Sequence, residues 1–133
     1  MADLFVLALL GHLAGDYLLQ TKRMALGKSR PGWSGALLCT AHVLIYTAAV
    51  CVMLSWTRPM AWLLVFAPHW VIDRWSLAGA WLKLIRGRTF ESAYLSKEPY
   101  REFDIAFTSL VYTAVDNTFH LFCLWLVILF VPL

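Results

Sequence analysis

The sequence predicts an all-α membrane protein, a bundle of four transmembrane helices around a buried site of histidines and aspartates. Hydrophobic residues make up 61% of the 133-residue chain and charged residues only 14%, whereas a soluble domain is about 25% charged. Four long apolar runs alternate with polar connections. Because a single domain of this size could not hide so much apolar surface from water, lipid is the expected solvent for residues 1–133.

The same composition argues against the soluble classes of protein. The formal net charge is +3, from 11 basic and 8 acidic residues, which is too mild to predict a nucleic-acid partner. Cys39, Cys51 and Cys123 lie inside apolar runs and form no CxxC pair. We therefore expect small core residues at these positions, and neither a disulfide framework nor a zinc knuckle.

The apolar runs define the expected membrane spans, about residues 4–21, 33–56, 60–85 and 103–131. The last three exceed the roughly 20 residues that cross a bilayer as a helix, and the first is shorter. Pro31 and Pro59 are expected at the first position of the second and third helices. Pro68 is expected to kink the third helix, and residues 86–101 are expected to form a plain loop.

The basic residues predict the orientation of these spans. Nine of the eleven flank the first and third connections, namely Lys22, Arg23, Lys28, Arg30, Lys83, Arg86, Arg88, Lys97 and Arg101. The positive-inside rule places those connections in the cytoplasm and both termini in the periplasm, in a multi-pass protein of a bacterial inner membrane. Trp33, Trp56 and Trp81 lie near span ends and fit an interfacial aromatic belt.

Ionisable residues inside the spans predict a functional site, because each is costly in lipid. They are His12, Asp16, His42, His69, Asp73, Arg74, Asp116 and His120. The segments HLAGD, HWVID and DNTFH each separate a histidine from an aspartate by four residues, which places the pair on one helix face. Spans one and three read His then Asp, whereas the oppositely directed span four reads Asp then His. The three aspartates are therefore expected at one depth in the membrane and the three histidines one helical turn away, in a single shared site.

The charges of this set predict a metal. Three aspartates and one arginine leave about two negative charges at mid-membrane, which protons or a divalent cation must neutralise. The candidate metal ligands are His12, Asp16, His42, His69, Asp73, Asp116 and His120. These seven candidates outnumber the four ligands of one tetrahedral zinc site. We therefore expect one or two divalent transition-metal ions, zinc first and iron or manganese as alternatives. No other cofactor is expected.

Neighbouring residues are expected to support this site. Gly11 and Gly15 form a GxxxG step beside the first His/Asp pair and predict a close helix approach. Gln20, Tyr46 and Tyr112 lie one helical turn from site residues, where they are either hydrogen-bond donors to the ligands or ordinary interhelical contacts.

The motif HLAGDYLLQT, a lone histidine in span two, HWVID and DNTFH resemble the pattern of a family of small bacterial and phage inner-membrane proteins. That family is described only as a domain of unknown function. The resemblance covers nearly the whole chain and implies the site, not a reaction. The arrangement is also similar in style to predicted membrane-bound metal-dependent hydrolases, which is an analogy.

Three functions are compatible with these residues. The first is metal-dependent hydrolysis of a lipid-linked or membrane-embedded substrate, with Asp16, Asp73 and Asp116 as catalytic candidates and Arg74 binding an anionic group. The second is a transporter or channel for protons or metal ions. The third is a phage-type membrane effector with a structural metal. The expected partners are the bilayer and the substrate, no nucleic acid, and, left open, further copies of the chain.

Overall fold

The computed structural model describes residues 2–130, which form seven α-helices and one π-helical turn and no strand. In chain order these are α1 (Ala2–Leu13), the π-helical turn (Ala14–Leu18), α2 (Lys22–Gly27), α3 (Trp33–Met53), α4 (Pro59–Arg74), α5 (Leu77–Arg86), α6 (Phe90–Leu95) and α7 (Arg101–Phe130). The prediction of an all-helical chain is confirmed for the described residues.

Two of these helices, α3 and α7, are long and apolar enough to cross a membrane. The 21 residues of α3 extend over about 32 Å at 1.5 Å per residue, close to the thickness of a hydrocarbon core. This supports association with a membrane, while four crossings stay a prediction. The expected end of the fourth span at residue 131 lies outside the described residues.

The first and third predicted spans are shorter in the structure. The 12 residues of α1 continue into the five of the π-helical turn, and helical structure stops before Gln20. The prediction of one helix over residues 60–85 is wrong, because Ser76 adopts a left-handed conformation with a φ of 47°. That conformation interrupts the helical hydrogen-bond ladder, and α4 and α5 are separate. Helix α4 runs without interruption through Pro68.

The connections also differ from the expectation. Helix α4 begins at Pro59 as predicted, but the prediction for Pro31 is wrong, because Gly32 caps α3 with a φ of 86°, a conformation that glycine adopts without strain. The region expected to be a plain loop contains α6. Arg88, just before it, donates to Asp104 Oδ1 at 2.7 Å and so ties this region to α7.

Four helices pack as a ring in which α1 and α4 each contact both α3 and α7. A Cβ atom added to Gly11 would lie 2.7 Å from the Cα of Val50, and one added to Gly15 would lie 2.7 Å from Cδ2 of Tyr46. The close approach predicted from the GxxxG step is therefore confirmed between α1 with its π-helical turn and α3.

We expect Gly11→Ala to destabilise the protein by about 1–3 kcal/mol, because the new methyl group meets the backbone of α3 and the helices have to separate. Gly79→Ala is the matched control, since the nearest atom to its Cβ would be the side-chain hydroxyl of Ser76, at 2.9 Å, which can rotate away. Thermal unfolding in detergent measures both variants. Equal melting temperatures for the two variants would contradict the close packing.

The distribution of polar and apolar side chains is inverted relative to a soluble protein. All four histidines are buried, whereas Leu18 and Leu84 are 81% and 78% exposed. Trp33 is exposed as a belt residue should be, but Trp56 is only 8% exposed and packs in an apolar cluster. The turn after α3 thus folds the Trp56 ring inward as a core residue, and the interfacial aromatic belt stays a prediction.

Candidate metal centre

The π-helical turn carries Asp16, the first site residue that the fold positions. The N–H of Leu19 donates to the carbonyl of Ala14 at 2.9 Å, a five-residue step that widens the helix. Such turns are rare and are often found at functional sites. The sequence predicted an ordinary helix here, and its one relevant signal is the Gly15 next to Asp16.

The centre of the site is a triangle of three ligand atoms from α3 and α4. His42 Nε2 lies 3.2 Å from His69 Nε2 and 3.1 Å from Asp73 Oδ2, and His69 Nε2 lies 3.1 Å from the same carboxylate oxygen. Ligand atoms around a tetrahedral zinc ion lie about 3.3 Å apart when the metal–ligand bonds are about 2.0–2.1 Å. Among the described residues, these three form one of two groups that could hold a metal ion.

Asp16 lies against the same pair of imidazoles. Its Oδ1 is 3.2 Å from His42 Nε2 and 3.5 Å from His69 Nε2. Asp16, His69 and His120 form the second group that could hold a metal ion. The two groups share His69, so the five residues make one continuous cluster, which we call the His/Asp cluster: Asp16, His42, His69, Asp73 and His120.

His120 has the tautomer of a metal ligand. Its Nδ1 lies 2.8 Å from the carbonyl oxygen of Asp116, and because a carbonyl only accepts, Nδ1 carries the proton. The lone pair of a neutral ring is then on Nε2, which is buried without a hydrogen-bond partner among the described residues and is 3.8 Å from Asp73 Oδ1. A backbone carbonyl that orients a ligating imidazole in this way is usual around metals.

Two predicted ligands lie at the edge of the cluster, outside both groups. His12 places Nδ1 3.2 Å from Asp16 Oδ2, and its Nε2 is 3.0 Å from Asn117 Oδ1. Asp116 places Oδ2 3.7 Å from His120 Nδ1. Both therefore contact a member of the cluster, and His12 in particular orients Asp16. Asn117, within the DNTFH segment, is a contact that the sequence did not predict.

Gln20 and Tyr46 contact the site, as two of the three expected neighbours. Gln20 Nε2 lies 3.0 Å from His42 Nε2. The Tyr46 hydroxyl lies 3.3 Å from His12 Nδ1, and its ring packs against the His69 ring with centroids 3.6 Å apart. The Tyr46 ring restricts the orientation of the His69 ring. The amide of Gln20 instead contacts the same His42 nitrogen that a metal ion would bind.

The cation beside the cluster is Lys28, not the expected Arg74. Lys28 Nζ lies 2.8 Å from Asp73 Oδ1, with 13% of the lysine side chain exposed. Burial lowers the pKa of Lys28, but the Asp73 carboxylate raises it further, so the pKa ends above its ordinary value. Arg74, at the end of α4, instead donates to the carbonyl of Gly32 at 3.4 Å. Sequence reasoning counted Lys28 only among the orienting basic residues.

A polar cavity of about 170 Å³ adjoins the cluster and is lined by Asp16, Tyr17, Gln20, Ala25, Lys28, Tyr112, Thr113 and Asp116. Beyond Tyr46, α1, α3, α4 and α7 pack an apolar core that includes Val50, Leu54 and Leu124. The cluster is therefore approached by polar groups from one side and closed by apolar packing on the other.

Comparison with known proteins identifies a family and no reaction. A family model described as "Protein of unknown function (DUF3307)" matches residues 4–132. No curated protein and no solved structure matches the chain. The resemblance to a family of unknown function is thus confirmed, while its bacterial and phage inner-membrane setting stays a prediction.

Proposed function

The chain belongs to the DUF3307 family of proteins of unknown function, and we propose an activity from the geometry of its own site. In this proposal the chain is an integral membrane metalloenzyme that hydrolyses a lipid-linked or membrane-embedded substrate. The observation that carries this proposal is the triangle of His42, His69 and Asp73, with Asp16 beside it on the wall of the polar cavity. Three protein ligands are typical of catalytic rather than structural zinc sites, and Asp16 links this triangle to the cavity.

The distribution of side chains supports the membrane setting. A buried polar cluster inside a shell of exposed leucines and aromatic residues suits lipid as the surrounding solvent. In this proposal the chain crosses the inner membrane four times, through α1 with its π-helical turn, α3, α4 and α7, with both termini in the periplasm. Helix α4 is short for a full crossing and would be matched by local thinning of the bilayer.

Four residues of the site have a part in the proposed reaction. His42, His69 and Asp73 would hold a divalent ion, with zinc first and iron or manganese as alternatives. Such an ion would supply Lewis acidity and make a water molecule more acidic. Asp16, on the cavity wall, takes the proton from the attacking water. The oxygen of that water bonds to the carbonyl carbon or phosphorus, the bond to the leaving oxygen breaks, and the leaving oxygen receives the proton.

Lys28 takes the role that the sequence suggested for Arg74. Its ammonium group lines the cavity and lies at the Asp73 carboxylate, so it can attract an anionic ester or phosphate toward the bound ion. The apolar packing beyond Tyr46 opposes a conduit for protons or metal ions, because a conducting path needs polar groups on both sides of the cluster.

The test combines metal analysis with catalysis. The full-length protein, purified in mild detergent without chelator, should contain one or two transition-metal ions per chain. EDTA should abolish the cleavage of long-chain carboxyl esters and phosphoesters in mixed micelles, and zinc, manganese or iron should restore it. A metal-free preparation would refute the metal site. Metal without cleavage, together with an Asp16-dependent flux of protons or divalent ions into liposomes, would favour the transporter.

We expect Lys28→Met to destabilise the metal-free protein strongly and the metal-loaded protein much less. The substitution leaves the buried Asp73 carboxylate without its cation, which costs about 3–5 kcal/mol for a buried pair, and a bound divalent ion restores the missing positive charge. Adding zinc should therefore raise the melting temperature of Lys28→Met more than it raises that of the parent protein. Lys22→Met, at an exposed position of α2, is the control, and an identical zinc response in all three proteins would refute the coupling.

A further inference from the structure

An apolar groove of about 390 Å³ lies between α5 and α7. Its walls include Ile72, Leu77, Trp81, Phe119, Phe122 and Cys123. No charged side chain lines it, and its volume is within the range of pockets that bind small ligands. The groove has no place in the hydrolytic roles assigned above.

The groove lies beside α4 and α7, two of the four elements that supply the residues of the His/Asp cluster. Ile72 immediately precedes Asp73, and Phe119 immediately precedes His120. Cys123 lines both the groove and a small cavity that is bounded by His69 and His120. Through Cys123, a molecule lying in the groove would have one end beside the small cavity that His69 and His120 border.

The polar cavity and the groove follow one face of α7. Tyr112 and Asp116 line the polar cavity, and Phe119 and Cys123 line the groove. These residues are three or four positions apart and so share one side of the helix. Along this face the lining changes from polar to apolar within one helical turn, next to the cluster.

We propose that the substrate is an amphiphilic lipid whose hydrocarbon chain lies in the groove and whose polar end reaches the cluster and the polar cavity. This inference rests on the proposed hydrolytic function and names its substrate class. The adjacent polar and apolar sites match the two parts of such a molecule, and Lys28 in the cavity matches an anionic head group. A soluble substrate would use the cavity and leave the groove without a role.

The probe is a lysophosphatidylglycerol with a diazirine at the end of its chain, added at low mole fraction to nanodiscs that contain the metal-loaded protein. Photolysis should label Trp81, Phe119 and Phe122, and unlabelled lysophosphatidylglycerol should compete while glycerol phosphate should not. Ala80→Trp fills the groove from an exposed position of its wall and should lower the labelling at least about five-fold. Ala114→Trp, at an exposed position of α7 outside the groove lining, should label like the parent.

Two results would overturn the inference. Even labelling of outward residues such as Leu37 and Val52, which are exposed on α3, unchanged in Ala80→Trp, would mean that bulk lipid fills the groove. Cross-links between two chains at the groove would make it an interface between copies. Normal zinc content in Ala80→Trp shows that this variant is folded.

A second substrate separates this inference from the proposed function. Suppose that the parent and Ala80→Trp cleave p-nitrophenyl butyrate equally and with metal dependence, and that the groove is not labelled. This result would support the hydrolase and refute the lipid site. Specific groove labelling without cleavage of either ester would support lipid binding and refute hydrolysis. The two failures are therefore distinguishable in one set of preparations.

Discussion

Replacing His69 with alanine is expected to remove nearly all bound metal, from about one ion per chain to below about a tenth of that. His69 belongs to both groups that could hold an ion, so its loss leaves two ligands in each. His42→Ala should have a similar effect, because His42 Nε2 is one corner of the triangle. Elemental analysis of purified variants, with helical content checked by circular dichroism, measures the result.

His12 provides the matched comparison for these two variants. Its ring contacts Asp16 and Asn117 and lies outside both groups, so His12→Gln should weaken the affinity for zinc by about 10–100-fold, as for a residue that orients a ligand. Titration against a competing chelator measures that affinity. Full metal content in a His42→Ala, His69→Ala double variant would refute the assigned centre.

Replacing Asp16 with asparagine is expected to lower turnover by about 10²–10⁴-fold while most of the metal is retained. Asparagine keeps the shape of the side chain on the cavity wall but cannot take a proton from water. Asp73→Asn should instead lose metal and activity together, because Asp73 Oδ2 lies 3.1 Å from both His42 and His69 Nε2. The comparison separates a proton acceptor from a metal ligand.

Asp104→Asn is the control for both substitutions. Asp104 pairs with Arg88 before α6 and lies outside the His/Asp cluster, so this variant should keep its metal and its turnover. If Asp16→Asn behaves like Asp104→Asn, Asp16 is not the general base.

Local spacing accounts for much of what was predictable. The four-residue steps placed each histidine beside its aspartate, and the structure brings His12 and Asp16 to 3.2 Å and His69 and Asp73 to 3.1 Å. These pairs depend only on the periodicity of a helix. The approach of α1 to α3 was predictable for a similar reason, because paired glycines remove the side chains that would keep the helices apart.

Other features depend on contacts that no local pattern encodes. Lys28 reaches Asp73 because α2 packs on α3, the neighbour of α4. Nothing in the local sequence distinguishes Lys28 from Lys22. The break at Ser76 lies in a continuous apolar run, where composition alone predicts one long helix. Trp56 is buried because the turn after α3 packs it against α4, although its place at the end of an apolar run suggested an interface.

By itself the sequence determined that the chain is helical, that its surface is too apolar for an ordinary soluble domain, and that its buried polar residues are histidines and aspartates in spaced pairs. Only the tertiary structure decided which candidates converge: Asp16, His42, His69, Asp73 and His120 form the cluster, while His12 and Asp116 lie at its edge and Arg74 lies outside it. The physical reason is that spacing defines the face of each helix, whereas the rotation and approach of packed helices define which faces meet.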